Sequence, residues 1–293
     1  MILLTGSTGF TGKFVLEELK RNGDPVRCFL RPGSDQNKIK QLADEIFVGD
    51  ITSLDSVRAA MKGTKGVINV VSIKEGHIPV MIKAAEFSGI KRALFFSTTA
   101  IFTKLNAKSK ALRITAEEQI KSSSLDWTIL RPTMIYGTSN DRNMLRLIQA
   151  VDRFPVHPIL GSGNHSIQPI YVRDLAKATV SAFHCQKAIK GTYNLSGKYP
   201  LSYRDCVQTI AKLLNKKCLM FSLPLSAAIF TAWIAEKIPG LPDIKPEQVR
   251  RLNEDKSFDH AEATKDFGFD PISFHEGISL EIDEWEELKS EKN

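Results

Sequence analysis

Two hydrophobic patterns alternate along this chain. Met1–Leu4, Val26–Leu30, Ile46–Ile51, Val67–Ser72, Ala93–Ser97 and Trp127–Leu130 are short, mostly branched and apolar runs, the composition of strands buried on both faces of a sheet. Between them apolar residues fall at helical spacing, first at Phe14, Val15, Leu16 and Leu19. Strand and helix in alternation predict parallel βαβ units. Leu145–Val151 and Asp174–Phe183 then predict helices, Phe154–Gly163 a Pro/Gly-rich loop, Ile167–Val172 an extended piece, and Gly191–Ser196 a further strand. From Ser202 the period is mostly helical, through the apolar stretch Leu219–Ile234 to an acidic terminal helix from His275. The fold class predicted is α/β. A doubly wound parallel sheet fills residues 1–155, with 166–196 returning to it, and 197–293 form a smaller, mostly helical C-terminal lobe over its carboxyl edge.

Between the first strand and the first helix, Thr5–Gly12 reads TGSTGFTG, with Gly6, Gly9 and Gly12 at three-residue spacing. Such a turn brings bare backbone N–H groups and the positive end of a helix to one point, where a diphosphate can sit. The same letters can make a purely structural turn. Their place after the first strand, ahead of an amphipathic helix and a second strand, favours a dinucleotide site. At the end of the second strand no acid is ready for a ribose 2′-hydroxyl; Arg27 and Arg31 occupy the region and suit a 2′-phosphate. The expected cofactor is therefore NADP, with Asp35 keeping NAD possible. Asp50 ends the third strand, where it either caps the helix after Thr52 and Ser53 or accepts from an adenine amino group.

Composition adds boundaries. With 42% hydrophobic and 25% charged residues over 293 positions, the chain is an ordinary globular protein with a sizeable core. Cys28, Cys185, Cys206 and Cys218 are scattered without metal-ligand spacing, so no metal is expected, and reduced thiols fit a cytoplasmic protein. The net charge of +7 is spread out, densest at Lys104, Lys108, Lys110, Arg113 and Lys121. Without a nucleic-acid motif this predicts a solvated face and no nucleic-acid partner. Leu219–Ile234 is broken by Pro224 and too short for an integral membrane segment. It is expected to line a pocket, or to offer 219–234 to a second copy in a homodimer or to a protein partner.

Several stretches together resemble the extended and atypical short-chain dehydrogenase/reductases, the NAD-dependent epimerase/dehydratase family. They are TGSTGFTG at Thr5–Gly12, GDIT at Gly49–Thr52, FSTTA at Phe96–Ala100, DWTILRPTMIYG at Asp126–Gly137, QPIYVRDLA at Gln168–Ala176 and GTYNLSG at Gly191–Gly197. The resemblance implies a Rossmann sheet binding NAD(P) and a variable lobe for a small-molecule substrate. It assigns Gly6, Ser7, Thr8, Gly9, Phe10 and Gly12 to the diphosphate, Arg31 to the adenosine ribose or its phosphate, and Asp50 with Ile51 to the adenine. It places Ser72 and Thr98 near the nicotinamide ribose, Pro132 and Thr133 near the nicotinamide, and Thr99 at the reacting carbonyl.

The chain departs from that pattern at the Tyr-x-x-x-Lys pair. Counted back from Ala116-Glu117-Glu118, the tyrosine position holds Ser109 and the lysine position Arg113, and no tyrosine occurs before Asp126. Arg113 can hold ribose hydroxyls, but a serine is a poor proton donor. Ile167 also replaces the arginine usual in sugar-nucleotide epimerases. Tyr136, Lys104 and Lys108 are the remaining proton-donor candidates and His165 a candidate contact for an anionic substrate, each with a plainer structural role. Two functions follow. One is an NADP-dependent oxidoreductase or epimerase acting on a small carbonyl or sugar-like substrate, with Thr99 and Arg113 catalytic. The other is a non-catalytic NADP(H)-sensing regulator or accessory/assembly subunit.

Overall fold

The computed structural model describes residues 1–105, 108–141, 143–227, 229, 250 and 253–291. The central sheet begins with β1 (Ile2–Thr5), β2 (Val26–Leu30), β3 (Glu45–Val48), β4 (Gly66–Asn69), β5 (Arg92–Phe96) and β6 (Asp126–Pro132). Short strands follow as β7 (Ile135–Tyr136), β8 (Val156–Leu160), β9 (Ser166–Ile167) and β10 (Ile170–Tyr171), then β11 (Gly191–Leu195), β12 (Leu201–Ser202) and β13 (Leu219–Leu223). The helices are α1 (Phe10–Arg21), α2 (Leu54–Met61), α3 (Ile78–Phe87), α4 (Lys108–Ser122), α5 (Met144–Arg153), α6 (Val172–His184), α7 (Tyr203–Leu213), α8 (Ala261–Phe267) and α9 (Phe274–Ser290).

Seven strands pair in the order β11-β6-β5-β4-β1-β2-β3, every pairing parallel. Chain order reverses beside β1, the switch point at which doubly wound sheets bind ligands. Successive side chains enter opposite layers: Ile2 and Leu4 pack with α1 and α6, whereas Leu3 packs with α2, α3 and α4. A third cluster joins α5, α7 and α9 around Tyr136, Ile148, Ile210 and Ile278. α8 does not join it; Ala263 and Phe269 pack into the α1/α6 layer of the sheet instead.

Three local expectations are corrected. Phe154–Gly163 is not all loop, since β8 pairs in parallel register with β13 from Leu219↔Val156 to Leu223↔Leu160. The start of the apolar stretch is thus a strand rather than a helix, with Leu219 and Phe221 exposed on one side; residues 228 and 230–234 lie outside the described residues. The helix predicted over Asp174–Phe183 starts earlier, at Val172, so Asp174 lies inside the first turn of α6, 5% exposed, and accepts from the Ile272 amide at 2.9 Å. Among the described residues no helix is long and apolar enough to cross a membrane.

Candidate functional site

The glycine turn is built as close packing requires. Gly6 reverses the chain after β1 at φ +76°, a conformation that L side chains rarely adopt. The Gly9 amide donates to the Gly6 carbonyl at 3.0 Å, and Gly9 opens α1 with no side-chain cap. Gly12 lets α1 lie on the turn, because a Cβ there would stand 2.0 Å from the Gly6 oxygen. The first turn of α1 holds no acid, so nothing offsets the positive end of the helix. Ser7 is fully buried, which leaves Thr8, Gly9 and Phe10 as the face of the turn.

That face opens on the first of three neighbouring clefts. The first, about 790 Å³, runs from Ser7–Phe10 past Lys13 and Lys38 to Arg173 and Glu284. The second, about 200 Å³, is lined by Thr11, Ser72, Thr98, Arg113, Pro132 and Thr133. The third, about 510 Å³, is lined by Thr98, Thr99, Phe102, Lys104 and Thr133 together with residues 253–256 and Phe258. Ile135 belongs to the first two clefts, and Thr98 and Thr133 to the last two, so the groove is continuous. A glycine-rich turn at the start of α1, which has no side-chain cap, fits the diphosphate of a dinucleotide. The backbone of Thr8–Phe10 would hold it, with Ser72, Thr98 and Arg113 further along.

The other expected residues are not all gathered there. Arg31, Asp50 and Ile51 stand just past the ends of β2 and β3 and line none of the three clefts. Arg27 must be struck from the phosphate-binding set. Its guanidinium bonds Glu45 and the carbonyls of Ala60 and Lys62 at 2.6–2.7 Å, because Arg27 lies near the amino end of β2 on the face covered by α2. Arg31 remains exposed. Asp35 accepts from the Asn37 amide. Asp50 accepts from the Thr52 amide and hydroxyl, which hold its carboxyl below its usual value, whereas Ser53 caps α2.

Around the second and third clefts, the protons of three threonine hydroxyls are already committed. Thr99 Oγ1 donates to the Pro132 carbonyl at 3.3 Å and Thr133 Oγ1 to the Gln168 carbonyl at 2.5 Å. Thr103 donates to Glu254 at 2.7 Å. Arg113 Nη1 donates to Ser109 at 3.3 Å, one turn apart on α4. The chain's five tyrosines are residues 136, 171, 193, 199 and 203, and none lines either cleft. Tyr136 is buried between Tyr171 and Phe274, and burial pushes its phenol up, away from acid duty. His165 is paired with Asp255 at 3.6 Å. The side chain of Lys108 lies outside the described residues.

Two features had little sequence signal. Residues 253–258 cross the third cleft, tied down where Glu254 accepts from the Lys104 amide at 2.8 Å and Phe258 N donates to Gln168 Oε1 at 2.9 Å. Behind the cleft, Glu117 is 3% exposed and accepts from Ser97 Oγ at 2.6 Å and Arg131 Nε at 2.9 Å. Against the upward push of burial, these bonds hold its carboxyl low. Among the described residues no group of three or more metal-ligating side chains could hold an ion.

Comparison with known proteins agrees with this geometry. A family model described as NAD(P)H-binding matches residues 6–159. The chain is 25% identical to the mitochondrial NADH dehydrogenase (ubiquinone) 1 alpha subcomplex subunit 9 of Mus musculus, over 85% of this chain and 70% of that one. It is 21% identical to the photosystem II assembly factor Ycf39 of Guillardia theta, over 92% and 89%. The crystal structure of a nucleoside-diphosphate-sugar epimerase from Pseudomonas aeruginosa shares the fold, with a TM-score of 0.79 at 16% identity over 98% and 97% of the two chains. The chain belongs to the NAD(P)H-binding family, within the atypical short-chain dehydrogenase/reductases.

Proposed function

We propose that this chain is an NADP(H)-binding regulatory or accessory protein rather than a turnover enzyme. The observation that carries this reading is the state of the groove beyond the glycine turn. Where the superfamily places a tyrosine and a lysine, Ser109 and Arg113 bond each other, and the hydroxyl protons of Thr99 and Thr133 are spent on backbone carbonyls. A bound nicotinamide would supply hydride chemistry. Reduction of a carbonyl also needs a proton, and a serine of ordinary pKa delivers one poorly. Relatives described as a respiratory-complex subunit and an assembly factor support the same reading.

The second reading, an NADP-dependent oxidoreductase or epimerase, is favoured by the 510 Å³ cleft that meets the cofactor end of the groove at Thr98 and Thr133. The two separate by titration and turnover. Purified protein should bind NADPH, with a different affinity for NADP⁺. A panel of carbonyl compounds and nucleotide sugars should produce no nicotinamide absorbance change above a Gly9→Asp control. Substrate-dependent oxidation that falls in Thr99→Val would reinstate the enzyme, and equal affinity for the two redox forms would count against a sensor.

The preference for NADP rests on Arg31. It is exposed at the end of β2 with no acid placed for a 2′-hydroxyl, and Lys38 lines the nearby cleft. Arg31→Ala should weaken NADPH binding about tenfold, the size of one charge-assisted phosphate contact, and leave NADH within about twofold. Calorimetric titration of both cofactors checks this. Equal losses for both would remove Arg31 from phosphate recognition.

A further inference from the structure

We infer that the third cleft is a binding site for a planar aromatic anion. Phe102 and Phe258, from segments far apart in sequence, meet there with ring centroids 5.5 Å apart and planes 31° from each other. Phe102 keeps 46% of its surface exposed. It is nevertheless held in place: the Arg131 guanidinium lies 5.2 Å from its ring centroid, and Arg131 is fixed by its bond to buried Glu117. An apolar ring held at a cavity wall while still wet is a ready stacking platform.

The polar groups of the cleft argue against a polyhydroxyl ligand. Thr99, Thr103 and Thr133 donate to Pro132, Glu254 and Gln168, so a sugar would find these three hydroxyls as acceptors only, with no proton for its ring and glycosidic oxygens. The acids of the crossing segment are likewise engaged, Glu254 with Thr103 and the Lys104 amide, Asp255 with the Ser166 amide and His165. Lys104 also lines the cleft, and its ammonium would be the cation for a carboxylate or sulfonate. The inference goes beyond the dinucleotide reading and does not depend on it, because the ring pair lies apart from the glycine turn.

The test is calorimetric titration of the full chain with 2-naphthoate, alongside cyclohexanecarboxylate and UDP-glucose. Naphthoate should saturate a single site and outbind both comparison ligands. Phe102→Leu and Phe258→Leu, which keep an apolar side chain but lose the ring, should each weaken it about tenfold. Lys104→Met should weaken naphthoate but not the uncharged naphthamide. No saturation at millimolar naphthoate, unchanged affinity in both phenylalanine variants, or tighter binding of UDP-glucose overturns the inference. NADPH titrated into the wild-type protein tests the dinucleotide reading separately, so failure of one is distinct from failure of the other.

Discussion

Replacing Gly12 with alanine should abolish dinucleotide binding and lower stability by about 2–3 kcal/mol, the scale of overpacking in a well-packed site. Two effects oppose each other. Alanine in a helix is favoured over glycine by about 1 kcal/mol. The added Cβ, however, would stand 2.0 Å from the Gly6 oxygen, 2.6 Å from its carbonyl carbon and 3.0 Å from Ser7 Cα. All three neighbours are backbone, so no side chain can swing away and the clash wins. Relief requires the start of α1 to lift off the turn, which scatters the amides of Thr8–Phe10. Gly89→Ala supplies the contrast. That glycine has φ +68° with nothing within 4 Å of an added Cβ, so it should lose about 1 kcal/mol of stability and bind normally. Thermal denaturation and NADPH titration of the two variants decide the matter. Near-wild-type binding by Gly12→Ala would mean that the turn is not the anion site.

The contrast between these glycines also shows what the sequence discloses. β2 lies at Val26–Leu30 as its mostly apolar run indicates, because a strand covered on both faces is apolar at nearly every position. The sheet order follows from alternation and the right-handed crossover. Interactions fixed by distant register are another matter. Arg27 and Arg31 look equivalent along the chain, yet one bonds Glu45 and the carbonyls beyond it while the other reaches past the sheet edge. β13 looks helical in a stretch of mixed apolar residues and becomes a strand only because β8 lies alongside it. Glu254 reaches the groove across 151 residues to bond Thr103, and no local period announces such a contact. The glycine turn was therefore readable as a turn, the residues around the second cleft in part, and the segment over the third cleft not at all.

Glu281→Gln should stabilise the protein at pH 8 by several kcal/mol and flatten its pH profile. Glu281 sits on α9, fully buried, with no side-chain hydrogen-bond partner for either carboxyl oxygen. Burial, reinforced by the carboxylates of Asp141 and Glu284 and opposed by the Gly137 amide, pushes its pKa up to about 9. Asp141 is itself buried and pushed upward by burial, so the site disfavours a second negative charge from both sides. The native state therefore keeps a proton that the unfolded chain releases near the ordinary glutamate value of 4.5. Between these limits the folded form binds more protons, and stability falls as pH rises, by about 1.4 kcal/mol per unit. Glutamine has nearly the shape of the protonated acid and no charge to lose, so its variant should show no such slope. At pH 5 the two proteins should unfold at similar temperatures; by pH 8 the wild type should melt well below the variant. The gap is a sizeable share of a net stability of about 5–15 kcal/mol. Parallel melting curves across that range would mean that Glu281 ionises freely and that α9 opens to admit water.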